Sequence, residues 1–154
     1  MEVKLQMVEC LNACNLGAIR HFRSILQGRK TRFQMKEGAS LTNHQRGALG
    51  ELAFCKLVNH YWTPHYDTFG TADFGENVEI RTSGMDCVKV KASDEGIIVS
   101  MSGDTESNPP TFTYHGWIHA AAAKRAEWLS DPGGYGHPAY FVPRSLLNKE
   151  LPPL

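Results

Sequence analysis

The stretch ADFGENVEIRTS (72–83) decides the fold, because here the chain passes from helical to extended patterning. In an extended chain Val78 and Ile80 fall on one face and Glu79 and Arg81 on the other. The residues before it, DTFGTADFGEN (67–77), are turn-rich and place Asp73 in a Gly-bounded bend. Two further extended runs follow, DCVKVKA (86–92) and GIIVSMS (96–102), which are expected to neighbour the first. Val88 and Val90 then oppose Lys89 and Lys91, so polar groups are expected to share one sheet face. TFTYHGWI (111–118) and AYFVP (139–143) are the remaining strand candidates. GDTESNPP (103–110) reads as a surface loop, and AAAAKRAEWL (120–129) as a helix ended by the DPGGYG turn (131–136).

On the N-terminal side, Leu5, Val8, Leu11, Leu16, Ile19, Phe22 and Leu26 recur mostly at three- to four-residue steps and predict a helix over 3–26, stopped by Gly28. A second helix is expected over 44–60, with Thr42 and Asn43 as available caps. Its core, GALGELAFCKLVNH (47–60), is apolar nearly all round, which implies burial on most sides. Glu51 is the acid in that helix. A buried carboxylate without a partner costs several kcal/mol or becomes protonated, so Glu51 needs a cation or hydrogen-bond donors.

The 154 residues match one domain, taken here as 1–154, with 1–43 an N-terminal helix and basic connector and 44–154 the core that carries the chemistry. Charged residues make up 21% and hydrophobic ones 42%, as in ordinary globular proteins, and no apolar run approaches the roughly 20 residues that span a bilayer. No secretory signal pattern opens the chain, which points to the cytoplasm. There the four cysteines, Cys10, Cys14, Cys55 and Cys87, are expected to stay thiols. Sixteen basic residues balance sixteen acidic ones, so global charge gives no argument for a nucleic-acid partner. The distribution does: Arg20, Arg23, Arg29, Lys30, Arg32 and Lys36 occupy 20–36 without an acid. The same run is also compatible with a solvated helix end.

Asp73, Glu79 and Glu51 are the candidate acids. Mg²⁺ or Mn²⁺ takes carboxylate oxygen and water, with phosphate completing the shell, and Asp73 and Glu79 meet that need. Each has a plainer alternative: Glu51 paired with Arg46 or Arg81, Asp73 capping its turn, and Glu79 and Arg81 forming an exposed pair. His115 and His119 lack a third zinc ligand, and Cys10 and Cys14 lack a matching pair, so packing is the expectation for both sets. Trp117 and Trp128 are expected to pack the last helix on the sheet. Neither a Walker loop, a nucleophile elbow nor a Rossmann fingerprint occurs.

Asp73 followed after five residues by Glu79-Ile80-Arg81, with the helical Glu51 of GALGELAF (47–54) ahead, resembles the PD-(D/E)XK phosphodiesterase superfamily. With HGWIHAAAAKRAEW (115–128) and YFVPRSLL (140–147), the chain is similar to small phage and prophage proteins assigned to it. The resemblance implies an α/β fold, a restriction-endonuclease-like α/β/α sandwich with a central mixed sheet and an N-terminal helical extension. It implies that Glu51, Asp73 and Glu79, with the Ile80 carbonyl, gather Mg²⁺ or Mn²⁺ for hydrolysis of DNA. Arg81 stands where the superfamily usually has lysine, and arginine cannot act as a base. It can clamp a phosphate, and Lys89 and Lys91 are the candidates to replace the lysine. The basic residues Arg20, Arg23, Arg29, Lys30 and Arg32, with Lys89 and Lys91, are expected on the DNA. The alternative implied by Arg81 is a catalytically silent member that binds nucleic acid or a host protein, as a phage-encoded modulator of host defence. A homodimer cutting two strands is a further expectation.

Overall fold

A computed structural model describes residues 1–28, 39–66, 72–134 and 136–154. Arg29, Lys30 and Arg32 of the basic connector lie outside them. The chain opens with strand β1 (Glu2–Lys4) and helix α1 (Met7–Leu26), then helix α2 (Ala39–Leu57). Strands β2 (Val78–Thr82), β3 (Cys87–Val90), β4 (Ile97–Asp104) and β5 (Thr111–His119) follow, with a short helix α3 (Ala120–Ala123). Strands β6 (Leu129–Ser130) and β7 (Ala139–Pro143) complete the fold.

The central sheet is mixed, in the order β1-β5-β4-β2. Strand β2 runs parallel to β4, with Ile80 opposite Val99, and β4 runs antiparallel to β5. The first five residues of β4 are buried, the mark of a strand covered on both faces. On one face, Ile97, Val99 and Met101 join Val78, Ile80, Phe112 and Tyr114 beneath Ala48, Leu49, Ala53 and Phe54 of α2, and α1 packs beyond it. Phe54 is fully buried, which by area contributes about 1.5–3 kcal/mol. On the other face, Ile98 meets Val88, Val90, Val142, Ala120, Ala123 and Leu147.

The result is a mixed α/β protein whose layers differ from an α/β/α sandwich. The second face is covered by a small antiparallel sheet, β3-β7-β6, and short helical turns. Strand β3 is therefore not a neighbour of β2. It pairs with β7, because Val88 and Val90 pack downward onto Ile98 rather than lying level with it. The run 120–129 gives only the four residues of α3, a single turn at Ala126–Trp128 and the start of β6. Lys124 Nζ donates to the Asp94 carbonyl at 2.8 Å and the Arg125 guanidinium lies 4.9 Å from the Trp128 ring, so tertiary contacts override the helix propensity of the alanines.

At the other end, residues 2–4 are a strand and Leu5 is fully buried, so α1 begins at Met7. Glu9 closes its first turn by accepting the Gln6 N–H at 2.6 Å, and Lys56 of α2 donates to the same carboxylate at 2.8 Å. Helix α2 begins at Ala39, which puts Thr42 and Asn43 inside it rather than at its cap.

The two helices touch at Gly17, where an added Cβ would come within 2.5 Å of the Gln45 Cα. Alanine there gains about 1 kcal/mol of helix propensity but must push two backbones apart, at a cost of about 1–3 kcal/mol. The clash is with main chain and cannot be relieved by a rotamer. Gly17→Ala is expected to lower stability by up to ~2 kcal/mol in urea denaturation, the net of those two effects. A stabilised variant would show that the helices separate freely.

Candidate active site

Helix α2 lies on β2 so closely that a Cβ on Gly50 would fall 1.8 Å from Thr82 Oγ1. That approach fixes the next residue, Glu51, at 5% exposure between the helices and the sheet. Its partner is Arg20, not Arg46 or Arg81. The Arg20 fork donates from Nη1 to Oε1 at 2.6 Å and from Nη2 to Oε2 at 2.9 Å, while Nε donates to the His65 carbonyl at 2.8 Å. Arg20 is itself buried, so it serves this carboxylate and not a backbone phosphate. Burial pushes the Glu51 pKa up to about 7, against the hydrogen bond from Arg20, and the neighbouring Asp73 carboxylate adds to the rise.

Asp73 is set by its turn. Phe74 and Val78 exchange backbone hydrogen bonds at 3.1 and 3.2 Å around Gly75, which takes φ +59°. The Asp73 carboxylate accepts the Ile80 N–H at 2.8 Å, so it does hold its own bend to β2. Burial still raises its pKa, opposed by that bond and by the charges of Arg81, Arg20 and Lys91. Glu79 is raised by burial, then by Asp73. Asp73 is thus close enough to both other acids to disfavour the charge of each. Val78 and Ile80 face α2, as alternation predicts, and Glu79 and Arg81 are partly exposed on the other side of β2.

Arg81 is held at both ends. Nη1 lies 3.1 Å from Glu79 Oε2, and Nη2 lies 3.0 Å from Asp94 Oδ2. Burial works against its charge, but Asp94 and Glu79 outweigh it and raise its pKa. Asp94 is the member that sequence reasoning missed. It sits 8% exposed in the turn after β3, where it also accepts the Lys91 N–H at 2.8 Å. An acid in the turn SDEG (93–96) reads as ordinary loop chemistry, and only the fold brings it to Arg81.

The two candidate lysines separate. Lys91 is close enough to lower the pKa of both Asp73 and Glu79. Lys89 lies 6.0 Å from the Phe141 ring centroid, on the small sheet. Arg23 is exposed on α1. Beside Glu51, the Trp62 indole N–H is buried without a geometric hydrogen bond yet near enough to steady the carboxylate. Trp62 also walls a cavity of about 770 Å³ with Tyr61, Tyr66, Asn12 and Leu16.

The other sequence candidates resolve into structure. His115 Nε2 lies 2.7 Å from Ser102 Oγ, His119 meets Trp117 edge-on, and Cys10 and Cys14 pack against the core. Trp117 packs under the helical layer and Trp128 on the second core.

Among the described residues no three His, Cys, Asp or Glu side chains form a ready-made cation cage. Asp73 and Glu79 nevertheless fit the usual Mg²⁺ arrangement, in which one or two carboxylates suffice and water and phosphate supply the rest. Burial first and the Asp73 charge second raise the pKa of Glu79, and a divalent cation held by both would relieve that second effect. Among the described residues no helix is long and apolar enough to cross a membrane. Compared with family models, curated proteins and solved structures, the chain matches none.

Proposed function

We propose that the protein is a metal-dependent nuclease of the PD-(D/E)XK kind acting on DNA, with Asp73 and Glu79 holding Mg²⁺ or Mn²⁺. The observation that carries this reading is that three carboxylates, Glu51, Asp73 and Glu79, are each raised in pKa by burial, that Asp73 is close enough to raise the other two further, and that the charges of Arg81 and Lys91 act on Asp73 and Glu79. Such a concentration of perturbed groups is characteristic of functional sites. A bound cation supplies Lewis acidity toward the phosphoryl oxygen and lowers the pKa of its water. The chain's own groups do the rest. Arg81, oriented by Asp94 and Glu79, presents a permanent positive charge to the scissile phosphate. Lys91 takes the place of the missing strand lysine, positioning the attacking water and exchanging its proton. Glu51, engaged by Arg20, supports Asp73 rather than forming the centre. The Ile80 carbonyl remains part of the proposed ligand set. Exposed Arg23 and the connector residues Arg29, Lys30 and Arg32 attract backbone phosphates, which makes binding salt-dependent.

A second reading has a specific observation in its favour: Glu51 and Glu79 are both paired with arginines. A silent member of the fold that binds nucleic acid or a host protein, as a phage-encoded modulator would, keeps such pairs permanently. The test is a calorimetric titration of Mn²⁺ and Mg²⁺ into the protein and into Glu79→Ala. Binding by the parent that the variant loses supports the nuclease. Failure of the parent to bind either cation, alone or with a DNA oligonucleotide present, favours the silent binder.

A further inference from the structure

The outer face of α1 is more apolar than a solvent-facing helix should be. Met7, Val8, Leu11, Phe22, Ile25 and Leu26 are 57–86% exposed, at 78, 58, 58, 58, 57 and 86%. A 20-residue helix about 30 Å long and 10 Å wide offers on the order of 300 Å² in projection, the size at which the largest apolar patch on a monomer is often a functional surface.

The spacing of these residues identifies what covers them. Val8, Asn15 and Phe22 are seven apart, and Leu11, Ala18 and Ile25 follow each by three, the a and d positions of a heptad. The residues that hold α1 to its own fold, Ala13, Leu16, Gly17 and Arg20, lie on the opposite side. The exposed heptad is therefore surplus to the intramolecular packing. It is also self-complementary when reversed. In an antiparallel pair with a two-fold axis between residues 16 and 17, Val8 meets Ile25, Leu11 meets Phe22 and Asn15 meets Ala18, each contact occurring twice. A closed two-fold interface requires this reciprocity. No charged residue falls on those positions, and Asn15 near the axis supplies the polar group that fixes register at some cost in stability.

We infer that a second copy of this chain docks on α1, forming an antiparallel helix pair through the Val8, Leu11, Phe22 and Ile25 face. The inference is independent of the nuclease reading. The strip is smaller than the roughly 800 Å² per partner of a standard interface, so the dimer is reversible and concentration-dependent.

Sedimentation equilibrium of the full chain from 1 to 300 µM is the test, with Leu11→Asp and Phe22→Asp alongside. Both side chains are 58% exposed, so at low concentration, where the parent is monomeric, the variants keep its melting profile. The expected result is a monomer–dimer equilibrium in the parent and at least about 100-fold weaker association in each variant. A parent that stays monomeric throughout, or dimers that survive both substitutions, overturn the inference. Register is read in a background with Cys10, Cys14, Cys55 and Cys87 replaced by serine or alanine and an unchanged melting profile: Leu11→Cys mixed with Phe22→Cys should form the 11–22 disulfide under mild oxidation, identified by peptide mass. Preferential 11–11 and 22–22 bonds would mean a parallel pairing and overturn it equally.

Discussion

Replacing Arg20 with methionine should destabilise the folded protein by about 3–5 kcal/mol at pH 8, the cost of leaving a buried charge without its partner. That is a fifth or more of the ~5–15 kcal/mol that holds an ordinary domain together. Two effects add: the Glu51 carboxylate loses its fork, and the His65 carbonyl loses the Nε donor. The loss should depend on pH in one direction. The folded pKa of Glu51 is already raised to about 7, so its neutral form is favoured by folding below the ordinary carboxylate range, and that advantage disappears as pH rises through about 7. Without Arg20 the pKa rises further. The variant's deficit should therefore be smaller at pH 5, where chiefly the lost donor to the His65 carbonyl remains, and grow toward pH 8, as read from urea denaturation at both. Arg20→Met combined with Glu51→Leu should recover most of the stability, since apolar replacement of a buried pair is often neutral. An equal deficit at both pH values would mean that Glu51 does not carry the cost.

Asp73→Asn should reduce metal-dependent DNA hydrolysis at least about 1,000-fold, equivalent to ~4 kcal/mol of barrier, while leaving the fold intact. The amide oxygen can still accept the Ile80 N–H, so the bend survives and only the charge is lost. Lys91→Ala should cost about 100-fold, the usual range for a proton-handling group, and Lys89→Ala nothing. The contrast between two lysines on one strand run separates a site built by the fold from a generally basic surface. Activity that persists in Asp73→Asn would remove the proposed centre.

Much of this site was legible because alternation and helical spacing report what each local segment buries. Val78 and Ile80 turn inward and Glu79 and Arg81 outward on the periodicity alone, and the apolar surroundings of Glu51 announced its burial. Legibility ended where contacts join distant segments. Arg20 looked like one cation of a basic run, and nothing in its neighbourhood marks it as the partner of a residue 31 positions later. Asp94 carried no signal until β3 left the central sheet and its following turn came under Arg81. That same departure was hidden because a Val-x-Val strand reads alike in either sheet. The short extent of α3 has the same origin: propensity is local, while the Lys124 and Trp128 contacts are not.

Strand β1 pairs with β5, Glu2 opposite Thr113, across most of the chain. During synthesis this edge strand leaves the ribosome long before its partner exists. The sheet therefore cannot close until residues beyond 113 have emerged, and α1 and α2 must wait beside an unfinished sheet. Pairings this distant raise contact order and slow folding. The amino-terminal segment is thus no detachable extension of a core: it is an edge rung of the central ladder that has to wait for its partner.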